Sequence, residues 1–357
     1  MSLPATMTGA VLTGPEAIEI RQVPVPRPGP GEIVLKVEAA TTCGTDVKVF
    51  RRGGHPRMLK VPTLFGHEMA GRIAALGDGV DDWREGDAVV VSNSAPCGAC
   101  AMCRLGRENL CEDLAYLNGA FAEYLHVPAR FVSRSLHPIP PGLDFGRAAM
   151  TEPLACVLHG MDACELERYA TLGPVETVVF GAGPIGLLFV AALAAEGHRP
   201  ILADPNPNRL DVGRALGAWH TLAIERGGGQ AEAVRAATGG GAGAWVVVDA
   251  TGVPEVWADA LAAARPGGLV NLFGGCAPGT TVPLDTHRVH YSELTVKGVY
   301  HHRPETVRRA LTLLADPAFP ADPILSGERS IPQVEEALRA MMDKRALKLV
   351  IRGTAGA

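Results

Sequence analysis

Apolar positions along the chain follow two different rhythms, and the change falls near residue 176. Up to Val91 the runs are short and strand-like: Ile33, Leu35 and Val37 alternate with polar neighbours, and Asp87 leads into Ala88-Val89-Val90-Val91. Turn-forming clusters, Pro28-Gly29-Pro30-Gly31 and Gly77-Asp78-Gly79, separate these runs. The pattern predicts a compact all-β unit. From about Glu176, apolar strands over 177–180, 200–203, 245–249 and 269–273 alternate with helical stretches such as 209–216 and 256–264. That alternation predicts a parallel sheet with crossover helices. After Val299 the spacing predicts helices over 305–315 and 333–342 and a last strand over 347–351. Val334, Ala337, Leu338, Met341 and Met342 share one face of the second helix, so the methionines read as core, and Pro332 suits its first turn. The apolar window 177–195 approaches the length of a membrane span, but Gly181, Gly183, Pro184 and Gly186 interrupt it. Strand, turn and buried helix are expected there instead.

A length of 357 residues suits about two domains. With 47% hydrophobic and 20% charged residues the chain can build a real interior, which excludes a disordered solvating segment. A formal charge of −5 with no basic block argues against a nucleic-acid partner. Met1-Ser2-Leu3-Pro4 lacks a charged stretch followed by an apolar one, so no secretory signal is read, no membrane partner is expected, and a cytoplasmic location is. In that compartment the eight cysteines would stay reduced, which favours metal binding over a disulfide framework.

Three groups of residues carry chemistry. Gly181-Ala182-Gly183-Pro184-Ile185-Gly186 follows a strand and opens a helix, and Asp204 ends the next strand. Glycines there let backbone approach a pyrophosphate at the positive end of the helix, and Asp204 can accept from a ribose diol while repelling a 2′-phosphate. A tight turn with no ligand, and a helix-capping Asp204, are the bland alternatives. Cys97, Cys100, Cys103 and, eight residues later, Cys111 can wrap a tetrahedral Zn²⁺ whose closed shell leaves no place for substrate. An iron–sulfur cluster or free buried thiols remain open on spacing alone. Cys43-Gly44-Thr45-Asp46 and Gly66-His67-Glu68 each set metal-capable side chains beside a glycine, although a lone Cys or His is commonly core.

Taken together, in this order and separation, these motifs resemble the zinc-dependent medium-chain dehydrogenases over nearly the whole chain. Thr151-Glu152-Pro153-Leu154 and Gly119-Ala120-Phe121-Ala122-Glu123-Tyr124 are similar to the polyol (sorbitol-type) and threonine branch; the branch acting on simple alcohols usually has Cys where Glu152 stands. The resemblance implies an α/β fold: a GroES-like, β-rich catalytic domain over 1–155 with a zinc lobe at about 93–113, a Rossmann NAD-binding domain over 156–300, and a return to the catalytic domain over 301–357. It further implies one catalytic zinc at Cys43 and His67 with Glu68 and Glu152 as further candidate ligands, and one structural zinc at the four cysteines. Thr45 would take the alcohol proton and Asp46 would orient His67. The family usually has His where this chain has Lys48, a poorer proton shuttle. Cofactor contacts are implied for Gly181, Gly183, Pro184, Ile185, Gly186, Asp204, Arg209, Leu272, Phe273 and Val299, with His301 and His302 as candidate pocket residues. The expected activity is NAD-dependent interconversion of a secondary alcohol of a small polyol, sugar or cyclitol with its ketone, by a homo-oligomer, dimer or tetramer. Alternatives are a threonine-type amino-alcohol dehydrogenase, a general secondary alcohol dehydrogenase, a zinc-free reductase and a non-catalytic dinucleotide sensor.

Overall fold

The computed structural model describes residues 3–55, 58–225 and 229–353. The chain divides into two units, the first comprising Met1–Ala155, Arg303–Pro317 and Leu325–Ala357 and the second Cys156–His302 and Ala318–Ile324. The short excursion Ala318–Ile324 was expected with the first unit. It ends in a 3₁₀ turn, Asp322–Ile324, that packs on the helix Pro207–Ala215 of the second.

In the first unit the main sheet runs in the order Leu136–Pro138, Ala88–Val91, Glu68–Leu76, Ile33–Thr41, Lys348–Arg352, Leu325–Ser330, with Tyr124–Val127 also paired to Ile33–Thr41. The strand from the chain's end thus sits beside the strand that leads to Cys43. Val34 is buried along with Ile33 and Leu35, so the expected alternation fails there. The sheet is covered on both sides: one cluster holds Ile33, Leu35, Phe50, Phe65 and Phe121, and another joins Ala70 and Val90 to Ala148, Ala149 and Leu311. The expected all-β stretch also contains a helix, Gly44–Arg52. Cys43 caps it, Gly53 closes it with φ 72°, and it buries only Val49, Phe50 and Asp46, too few positions for a helical period to show. Val334, Ala337 and Leu338 are buried as the spacing required, whereas Met341 and Met342 are only half-buried.

The second unit is a six-stranded parallel sheet in the order His220–Ala223, Arg199–Asp204, Glu176–Phe180, Ala244–Asp249, Ala264–Leu272, Thr295–Gly298. The chain starts at Glu176–Phe180, builds outward to one side and then to the other, which is the doubly wound arrangement. The following helix, Pro184–Ala195, is apolar all round because it is buried from Gly186 to Leu193. No helix among the described residues is long and apolar enough to cross a membrane.

Candidate active site

The first unit gathers Cys43, His67 and Glu68 so that one ligand atom of each lies within 4.8 Å of the others. Cys43 stands at the N-cap of Gly44–Arg52, where its sulfur accepts from the Thr45 amide at 3.4 Å. Asp46 completes the capping box through the Cys43 amide (2.9 Å) and with its other oxygen meets His67 Nδ1 at 2.9 Å. That contact fixes the imidazole and leaves Nε2 as the ring nitrogen that a metal would take. Gly66, with φ 91°, brings His67 into place; a Cβ there would lie 2.8 Å from the Phe121 ring. Burial alone would lower the pKa of His67, but the Asp46 carboxylate and Cys43 hold it well above its ordinary value.

Glu68 opens the strand Glu68–Leu76 opposite Thr41, fully buried. Its Oε2 accepts from the Thr41 hydroxyl and from the ammonium of Lys348. Lys348 is itself buried and also donates to the Thr42 carbonyl at 2.7 Å. Burial works against the charge on Lys348, yet Glu68, Cys43 and Glu152 together raise its pKa. The other oxygen, Glu68 Oε1, is buried with no hydrogen-bond partner. A thiol, an imidazole and an orphaned carboxylate oxygen form a donor set that suits Zn²⁺.

Glu152 does not fall within that compact set. It lies in the first turn of Thr151–Ala163, and its Oε1 accepts from Asn93 Nδ2 at 2.8 Å. Burial pushes its carboxyl up to about 7, with the charge of Glu68 adding to the rise and His67, Lys348 and Asn93 opposing it. Thr45 is half-buried beside Cys43, and Lys48 is exposed. Three contributors escaped the sequence reading: Thr41, Asn93 and Lys348. A lysine set among Leu347, Leu349, Val350 and Ile351 was the available signal, since an apolar strand rarely carries a charge without a buried partner.

The sulfurs of Cys97, Cys100, Cys103 and Cys111 also converge within 4.8 Å. Three of their separations are 3.9 Å (Cys97–Cys103), 3.5 Å (Cys100–Cys103) and 3.9 Å (Cys100–Cys111). Sulfurs about 2.3 Å from a tetrahedral centre are about 3.8 Å apart, so the lobe has the dimensions of a zinc–thiolate shell. Backbone amides of Cys103 and Glu112 lower Cys100 to about 6, while burial and the neighbouring thiols push Cys103 up to about 12. Four thiolates at this spacing need a cation.

In the second unit Gly181 has φ 97°, and a Cβ on Gly186 would lie 1.8 Å from the Gly181 carbonyl, so the turn from Phe180 into Pro184–Ala195 tolerates only glycine at both places. Gly183 is the N-cap and Pro184 the first helical residue. Asp204 accepts from the Ala182 amide (2.7 Å) and the Asn206 amide (2.8 Å), which sets its carboxylate against the glycine turn. The cap of the next helix, Pro207–Ala215, is Asn206, not Asp204, and Arg209 is half-buried in that helix. Leu272 ends its strand, Phe273 packs edge-on to Phe189 at 5.1 Å, and Val299 follows Thr295–Gly298 half-buried. His302 is buried, and the His301 carbonyl meets His159 Nδ1 at 2.7 Å.

Two family models match: the alcohol dehydrogenase GroES-like domain over residues 29–141 and the zinc-binding dehydrogenase over residues 184–316. A sorbitol dehydrogenase of Bacillus subtilis is 30% identical over 98% of this chain and 98% of its own length. The chain belongs to the zinc-dependent medium-chain dehydrogenases. An L-threonine 3-dehydrogenase of the same organism is 31% identical over 96% of this chain and 95% of its own, which places the chain in the polyol and threonine branch. Among solved structures, a zinc-binding dehydrogenase of Sinorhizobium meliloti bound to NADP superposes with a TM-score of 0.88 at 29% identity, covering 98% of this chain and 100% of that one. As a member of this family the chain is an alcohol dehydrogenase that works with zinc and a nicotinamide cofactor.

Proposed function

We propose that the chain interconverts a secondary alcohol of a small polyol, sugar or cyclitol with its ketone, using NAD(H). The observation that carries this reading is the convergence of half-buried Cys43 with buried His67 and Glu68, Glu68 Oε1 being unpartnered, supported by the sorbitol dehydrogenase likeness. Cys43, His67 and Glu68 would hold a zinc ion whose chemistry there would be that of a Lewis acid for an alcohol hydroxyl, with a nicotinamide cofactor as the hydride acceptor. Asp46 holds His67 in one orientation, and Lys348 with Thr41 holds Glu68, so the ligands are in place before substrate arrives. Thr45, beside Cys43, takes the hydroxyl proton toward solvent, and exposed Lys48 on the same helix is the candidate next carrier. Glu152, outside the donor set, is the carboxylate acceptor that favours a substrate with a further hydroxyl. A screen of polyols, cyclitols and aldoses with NAD⁺, read at the NADH absorbance, tests the proposal; turnover of threonine alone would favour the second reading, which the threonine dehydrogenase likeness supports.

For the cofactor, the Asp204 carboxylate against the glycine turn favours a ribose diol over a 2′-phosphate. NAD⁺ is therefore preferred to NADP⁺ in kcat/KM, and Asp204→Ser narrows the preference. An unchanged ratio would mean that another residue reads the ribose.

A further inference from the structure

The chain holds its two buried glutamates by different chemistry. Glu68 is pinned by the ammonium of Lys348 and the hydroxyl of Thr41, so moving it breaks an ion pair buried away from water. Glu152 accepts from a neutral amide, Asn93 Nδ2, at 2.8 Å. Asn93 is only 2% exposed, lies between the strands Ala88–Val91 and Ser94–Ala95, and is anchored by its own carbonyl, which accepts from the Leu117 amide at 2.8 Å. A thiolate and one carboxylate already balance a divalent cation; a second bound carboxylate weakens it as a Lewis acid. An anchored amide beside Glu152 gives that carboxylate somewhere else to rest.

We infer that Asn93 is a positioning residue for this reaction: its side-chain amide holds Glu152 back from the zinc and makes Glu152, rather than Glu68, the carboxylate that moves during turnover. The inference rests on the reading that Cys43, His67 and Glu68 hold the catalytic zinc. Asn93 acts through Glu152.

The test uses the zinc-loaded enzyme and two readouts, the rate at which EDTA removes the more labile zinc and kcat at saturating substrate. Asn93→Leu keeps the branching and number of side-chain heavy atoms and removes the donor. Glu152 then closes on the metal, so that zinc leaves about tenfold more slowly and kcat falls about tenfold, the size of one hydrogen bond to a charged group. Asn93→Ser, whose hydroxyl is too short to reach Glu152, gives the same pair of changes and serves if the leucine variant does not fold. In a Glu152→Ala background neither substitution changes zinc loss further. If Glu152→Ala alters zinc loss while both Asn93 variants behave as the parent, the role of Asn93 is overturned and the zinc site stands. If Cys43→Ser leaves two zinc ions bound per chain, the site reading itself is overturned, and the inference with it.

Discussion

Lys348 and Thr45 show how differently single residues act in this site. Lys348 is a fully buried cation whose charge meets Glu68, and removing one partner of such a pair typically costs about 3–5 kcal/mol because the other charge is left uncompensated. Zinc at the same carboxylate supplies a substitute positive charge. Lys348→Met is therefore expected to lower the thermal midpoint more in zinc-stripped protein than in zinc-loaded protein, measured as paired melts; an equal drop in both states would show that Glu68 does not share its charge with a metal. Thr45→Ala, by contrast, is expected to lower kcat by about 10²-fold with zinc content unchanged. Turnover near the parent's would remove Thr45 from the proton path. The sequence made Cys43, His67 and Glu68 readable because Cys43 and His67 each lie beside a glycine in a short motif and Glu68 follows His67 directly. Thr41, Asn93 and Lys348 carry no motif: Thr41 and Lys348 reach the site through strand pairing of Thr41 with Glu68 and of the chain's last strand with Ile33–Thr41, which joins residues as distant as Ala40 and Ile351, and Asn93 follows the strand Ala88–Val91 that pairs with Glu68–Leu76.

At the level of elements, boundaries followed local chemistry where a cap or a glycine set them, as at Gly183-Pro184 and Gly53. The helix Gly44–Arg52 was hidden because its identity comes from a cysteine cap and an aspartate that also serves His67. A sequence pattern reports burial, and this helix buries three residues only. The four-cysteine lobe is the opposite case, with spacing that is fully local and apolar side chains that stay exposed, as Leu105 and Leu110 do: of the short helix Ala101–Arg104 no residue is buried. Metal binding must then replace a core. Cys100→Ser is expected to lower thermal stability and soluble yield while the surviving folded fraction keeps its intrinsic hydride-transfer rate. Single-turnover kinetics on that fraction checks this, and a normal melt with a slowed hydride step would move chemistry into the lobe.

For the whole molecule, the decisive arrangement is that both cysteine-containing metal sets belong to the first unit, whereas the glycine turn and Asp204 belong to the second. Each unit has its own buried cluster, the one around Phe50, Phe65 and Phe121 and the other around Val178, Ile201 and Val247, so neither needs the other's ligand to build its interior. The two metal sets differ in kind. Four sulfurs complete a closed shell, whereas Cys43, His67 and Glu68 supply three donors and leave a position through which a chelator can attack. Elemental analysis should find two zinc ions per chain, and mild chelation should remove one of them first, abolishing turnover. NADH binding should survive that step, because nothing that frames Gly181, Gly186 or Asp204 depends on a metal. A fluorescence titration of the one-zinc protein with NADH measures it directly. If affinity for NADH disappears together with the first zinc, the cofactor site is not the self-contained feature of the parallel sheet that its hydrogen bonds describe.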